Sequence, residues 1–278
     1  MTPKLLAVDL DGTLVHRDGS VHETDRIAIE RLRASGVPTA IVTGRLYSGS
    51  VHVARVVGIR APIACVDGSH IVDTDGDREH LHHAITGDDA ARLRDVIERH
   101  ATASFLFAQD AIVHDARGEA FATYVRTWSP NISVVDRVTS HPHWEHDRGV
   151  LAVVAVGLDA EIEAAVAELR SELSHAAFVV SFAVSRFKGV SALVTRALGP
   201  TKGTAIEWLA AYHGCTPAEV VAVGDWLNDV PMFEVAGRSF VMGQAPDHVK
   251  LEATDHLEAD TFSGGGIAEA IAAVWGDV

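Results

Sequence analysis

Two aspartates, Asp9 and Asp11, end the short apolar run Leu5–Val8 and are followed at once by Gly12 and Thr13. Carboxylates so placed can attack an electrophile, move a proton or hold a hard cation. Three other polar clusters share the setting. Thr43-Gly44-Arg45 closes the apolar segment Pro38–Val42, and Lys202 opens a helical stretch after a Gly-Pro-Thr loop. Asp225, Asn228 and Asp229 follow Val220–Val223 in the run GDWLND. Taken singly each has a plainer reading: Asp9 or Asp229 as a turn or helix cap, Thr43 as an N-cap, Lys202 as a solvated first-turn residue. Together they form a constellation, because an open parallel sheet binds its ligands beyond the carboxyl ends of its strands.

Electrostatics says what such a cluster needs. Were Asp9, Asp225 and Asp229 ionised around a phosphate dianion, with Asp11 protonated, five negative charges would face the single ammonium of Lys202. Two like charges ~4 Å apart repel by about 4 kcal/mol at an effective dielectric of 20. A divalent cation is therefore required, and Mg²⁺ suits carboxylates combined with phosphate oxygens.

The surrounding elements have the periodicity to position these groups. Lys4–Val8, Pro38–Val42 and Ile63–Val66 read as buried strands, with helices at Asp25–Ser35 and Ser50–Val57 between them. A hairpin with its turn at Asp75-Gly76 follows. From about His83 the pattern changes to an α+β alternation: a helix at Asp88–His100, strands at Ser104–Ala108, Ala111–His114, Ile132–Val138 and Gly149–Leu158, and a helix from Asp159 to near Ser174. Near Ala192 the first rhythm returns, with the helix Lys202–His213, the strands Val220–Val223 and Ser239–Met242, and a final helix at Ile267–Trp275. The expected organisation is a discontinuous α/β core, residues 1–82 and 190–278, interrupted by an α+β module at 83–189.

Composition narrows the function classes. The chain has 278 residues, 47% of them apolar, enough for a large core. A formal net charge of −15 argues against a nucleic-acid partner, whose phosphates demand concentrated Lys and Arg. No apolar run approaches the length of a membrane span, and Leu5–Val8 is too short for a signal peptide. Cys65 and Cys215 are too few and too separated for a disulfide framework, so a cytoplasmic setting is expected. The runs GxSxG, GxGxxG and the P-loop are all missing from the sequence.

DxDGT at 9–13, Thr43 in TGR, Lys202 in KGTA and GDxxND at 224–229 together resemble the haloacid dehalogenase superfamily. The insertion between the second and third motifs is similar to the type II, C2B-like cap of its Cof-like type IIB sugar-phosphatase branch. That resemblance implies a Rossmann-like core with a parallel sheet and an inserted α+β cap. It implies a Mg²⁺-dependent phosphatase acting on a small phosphorylated metabolite, most naturally a sugar phosphate, as a monomer or homodimer. Carried onto this chain, Asp9 is the nucleophile and Asp11 the acid and base. Gly12, Thr43, Gly44, Lys202 and Asn228 hold phosphate, while Asp9, the Asp11 carbonyl and Asp225 hold the metal. Asp229 stands behind them, orienting Lys202 or a metal-bound water. A phosphomutase would use the same aspartyl phosphate, and a non-catalytic phospholigand sensor could keep the fold alone.

Several positions depart from that pattern. Trp226 and Leu227 fill the variable sites of GDxxND, Asp67 stands where Asn is frequent before Gly68, and Gln244 replaces a frequent Asn after Met242. Lys188 in FKG is a rival to Lys202, which is preferred because GTAIEWLAAY continues it into an amphipathic helix. His141, His143 and His146 read as a surface loop rather than a metal site. His80, His82 and His83 read as hairpin or hinge surface, with facing the substrate as the alternative. Arg45 and Arg186 are candidate substrate contacts.

Overall fold

A computed structural model describes residues 2–16, 18–184 and 186–276. They form two compact units, Met1–Leu81 with Pro200–Val278, and His82–Gly199. The expected return to the first unit at 190 comes instead at Pro200. Val190–Ala197 is a strand of the second unit, antiparallel to both Ala177–Ala183 and Ala152–Leu158. The cause is a hairpin: Gly189 adopts φ 74° and Val184 N–H donates to Val190 O, which turns the chain straight back along its neighbour.

In the first unit five strands lie in the order Asp255–His256, Arg238–Val241, Val220–Gly224, Leu5–Val8 and Thr39–Ile41. All four neighbouring pairs are parallel. Leu5–Val8 lies between Val220–Gly224 and Thr39–Ile41, and its four side chains are fully buried, as expected for a strand covered on both faces. Ala205, Ile206, Leu209 and Ala210 of the helix Lys202–Tyr212 share a buried cluster with Leu5, Ala7, Val220 and Ala222. That contact fixes the helix on the sheet, and Thr201 caps its start by accepting from Thr204 N–H.

The third expected strand joins the sheet only in passing. Ile63–Cys65 touches it through one parallel bridge, Val42 to Ala64, and pairs antiparallel with His70–Val72. Val66, Asp67 and Gly68 all take positive φ, so the chain reverses before a crossover can form. The Asp75-Gly76 turn follows, with Gly76 N–H donating to Asp73 O, and leads into the strand Glu79–His82.

The second unit is a six-stranded sheet in the order Ala177–Ala183, Val190–Ala197, Ala152–Leu158, Ala103–Ala108, Ala111–His114 and Ile132–Val134. Only the last pair is parallel. Leu106, Val153, Val179 and Leu193 bury one face against Leu93 and Ile97 of the helix Gly87–His100 and Ile162 and Leu169 of the helix Asp159–Leu173. This is the α+β module that the mixed periodicity predicts.

Candidate active site

Strand register gathers the sequence motifs at one end of the first unit's sheet. Leu5 pairs with Val220 and Val8 with Val223, while Val8 also pairs with Ile41. Asp9, Thr43 and Asp225 therefore emerge from three adjacent strands at their carboxyl ends. Asp9 N–H donates to Val223 O at 3.0 Å, and Thr43 N–H to Ala64 O at 2.8 Å. These bonds hold the first residues of both loops in place.

Lys202 is the centre of the charge cluster. Its Nζ lies 2.6 Å from Asp9 Oδ1 and 2.6 Å from Asp229 Oδ1. The Lys202 and Asp229 side chains are 0% exposed and that of Asp9 only 7%. Burial opposes the Lys202 charge, but Asp229 and Asp9 outweigh it and hold the amine above its ordinary pKa. Burial likewise drives Asp9 well above the carboxylate range, with Lys202 pulling against it. Gly203 lets the helix come this close, because a Cβ there would stand 2.5 Å from Pro231 O. Asp229 does more than cap a helix: its Oδ2 accepts from Asp225 N–H at 2.8 Å and Trp226 N–H at 2.9 Å.

Asp225 completes the acidic group. Carboxylate oxygens of Asp9, Asp225 and Asp229 lie within 4.8 Å of one another. Burial, then Asp229, pushes Asp225 up to about 7, against a hydrogen bond from Gln244 that lowers it. Asp225 Oδ1 is buried without a hydrogen-bond partner. Three carboxylates against one ammonium, with one buried oxygen left over, is a donor set that fits a hard divalent cation. Both Asp229 oxygens are already engaged, so Asp9 and Asp225 are the side chains free to hold it. Gly12, at φ 86°, packs against the same carboxylate, and a Cβ there would sit 2.2 Å from Asp225 Oδ2.

The remaining residues form a second group. Thr43 is fully buried, and its Oγ1 accepts from Arg45 N–H at 3.2 Å. Arg45 grips Asp11 with both arms, Nε to Oδ2 at 2.8 Å and Nη2 to Oδ1 at 2.5 Å. Burial works against Arg45, but the hydrogen bond to Asp11 prevails and raises its pKa. Asn228 Nδ2 donates to Asp67 Oδ1 at 2.9 Å, and both side chains would flank a Cβ at Gly44, at 3.8 and 3.5 Å. Val66 and Asp67 sit at φ 48° and 52°, strained for residues with a Cβ. They are kept there by Val66 N–H to Arg45 O and Asp67 N–H to Thr43 O, each 3.0 Å.

The structure thus groups Asp9, Asp225, Asp229 and Lys202 directly, and Asn228, Gly44, Thr43 and Asp11 through the loops they share with Asp67 and Arg45. Lys202, not Lys188 of the second unit, meets Asp9. Sequence reasoning did not foresee the Arg45–Asp11 pair, the Asp67–Asn228 bond or the contacts of Gln244. Only the departures at Asp67 and Gln244 hinted at them. His141 and His146 accept from nearby backbone N–H groups through Nδ1, and His143 Nε2 lies 2.6 Å from Gly149 O. They are bound up in their own loop.

The chain has known relatives over most of its length. The chain is 27% identical over 271 residues to the 5-amino-6-(5-phospho-D-ribitylamino)uracil phosphatase YcsE of Bacillus subtilis, covering 96% of this chain and 94% of that one. It is 25% identical to the pyridoxal phosphate phosphatase YbhA of Escherichia coli, covering 91% and 92%. In fold it matches a solved subclass IIB sugar phosphatase of the HAD superfamily, with TM-score 0.78, 19% identity and 96% and 97% coverage. The profile of the haloacid dehalogenase-like hydrolases spans residues 6–271, and this chain belongs to that family.

Proposed function

We propose that the chain is a Mg²⁺-dependent phosphatase of small phosphorylated metabolites, sugar phosphates foremost, acting in the cytoplasm through an aspartyl phosphate on Asp9. The observation that carries the reading is the buried Asp9–Lys202–Asp229 bridge, 2.6 Å on each side, beside the unpartnered Asp225 Oδ1. Asp9 and Asp225, with the Asp11 carbonyl, would hold Mg²⁺. When bound, the ion neutralises charge on the phosphate and the carboxylates around it.

The chain's own groups supply the rest. Lys202 holds one oxygen of Asp9 and leaves the other to attack phosphorus. As the Asp9–phosphorus bond forms, the bond to the leaving oxygen breaks, and Asp11 gives that oxygen a proton. Asp11 then takes a proton from the water that cleaves the acyl phosphate, restoring Asp9 and releasing inorganic phosphate. Asp11 is held by Arg45 in this structure, so its carboxyl must leave the guanidinium to serve as acid. The Thr43 hydroxyl, the Gly44 N–H and the Asn228 amide donate to the phosphoryl oxygens, with Lys202 opposite, a positioning-and-charge arrangement suited to phosphoryl transfer.

Phosphate release across a panel of phosphorylated metabolites, with Mg²⁺ and with chelator, tests the proposal. Asp9→Asn should lower turnover by about four orders of magnitude or more with the fold intact. Release of no phosphate from any member would sink the phosphatase reading, and an isomeric phosphate ester as product would mark a mutase.

A further inference from the structure

Gln244 touches three separate stretches of chain. Its Nε2 donates to Gly12 O at 2.6 Å and to Asp225 Oδ2 at 3.1 Å, while Oε1 accepts from Thr261 N–H at 3.1 Å. These partners allow one orientation of the amide, since two acceptors need its NH₂ end and a backbone N–H needs its oxygen. The loop that carries it is fixed as well. Met242 N–H donates to Gly224 O at 3.0 Å and Gly243 N–H to Ala259 O at 2.9 Å. Asp225 Oδ2 is therefore enclosed between the Gly12 backbone and the Gln244 amide, and Oδ1 is the oxygen left buried and unpartnered.

We propose that Gln244 is a positioning residue that fixes the Asp225 carboxylate and decides which of its oxygens faces the cation. The inference rests on the cation site proposed above and adds to it a determinant of metal affinity. An outer group that orients a ligating carboxylate typically changes metal affinity about 10–100-fold when removed.

Two variants test it. Gln244→Met keeps the length and removes every hydrogen bond, and Gln244→Asn keeps an amide too short to reach both Asp225 and Thr261. The readouts are the rise in melting temperature on adding Mg²⁺ without substrate, and the Mg²⁺ concentration for half-maximal phosphate release. The expected result is a half-saturation about 10-fold or more higher in Gln244→Met, a smaller increase in Gln244→Asn, and a diminished Mg²⁺-induced shift in both. At saturating Mg²⁺, kcat should recover. Should Gln244→Met fail to fold, Gln244→Asn carries the test alone. A lower melting temperature in chelator with an unchanged Mg²⁺ half-saturation marks a purely structural role and overturns the proposal. A wild-type protein with no Mg²⁺ response removes the cation reading itself, whereas a responding wild type matched by both variants removes only the role of Gln244.

Discussion

Each unit of the chain builds a network of charges, and the two networks differ in everything but geometry. In the second unit Arg99 donates to Glu168 at 2.7 Å and Glu172 at 3.0 Å, and His100 Nε2 lies 2.5 Å from Glu168. The Arg99 side chain is 48% exposed, so water solvates the same charges that the contacts pair. In the first unit Lys202 makes equally short contacts with its side chain 0% exposed. There the carboxylates outnumber the cation, and the burial of Asp9, Lys202 and Asp229 limits how far solvent can screen them. Distance alone does not separate a surface ornament from a candidate site; burial and unbalanced charge do.

Three measurements can break or sharpen that contrast. The largest effect belongs to Lys202→Met, which leaves Asp9 and Asp229 buried without their counter-charge. A loss of about 3–5 kcal/mol in urea unfolding with chelator present is expected, and a loss no greater than that of a surface variant would erase the distinction. Next comes pH. Asp225 is raised to about 7, so the native state holds a proton that the unfolded chain has already released between the ordinary carboxylate pKa and 7. Its contribution to stability is present at acid pH and lost as pH rises through about 7. In chelator the melting temperature should fall from pH 5 to pH 8, with Mg²⁺ recovering more at pH 8. A flat profile in chelator would mean that Asp225 does not feel its burial. The smallest effect is that of Arg99→Ala, which should leave the melting temperature unchanged to within about a degree. A larger drop would show that the exposed network carries weight after all.

Much of the molecule is legible in local pattern because the causes are local. Leu5–Val8 and Val220–Gly224 are apolar runs of strand length that end in polar motifs, and burial on both faces needs nothing more. Lys202 was separable from Lys188 because the residues after it continue into a helix. The return to the first unit was misplaced because a pleated run such as Val190–Ala197 has no mark of the sheet it will join, and Gly189 alone announces the hairpin. The Ile63–Cys65 strand forms where the sequence puts it, but its pairing was not legible, for a related reason. Positive φ at Val66 and Asp67 is imposed by bonds to the Thr43–Arg45 loop, not by residue preference.

By itself the sequence determined which side chains were available and raised the expectation of a cation, since residue type fixes charge and strand-end spacing fixes where charge can collect. Only the tertiary structure decided the pairing. Lys202 stands 193 positions from Asp9 and Gln244 stands 232 from Gly12, so no local preference relates them. The sheet register and the packing of one helix bring them together, and burial then turns ordinary ionisable groups into an acidic cluster that could hold a metal ion.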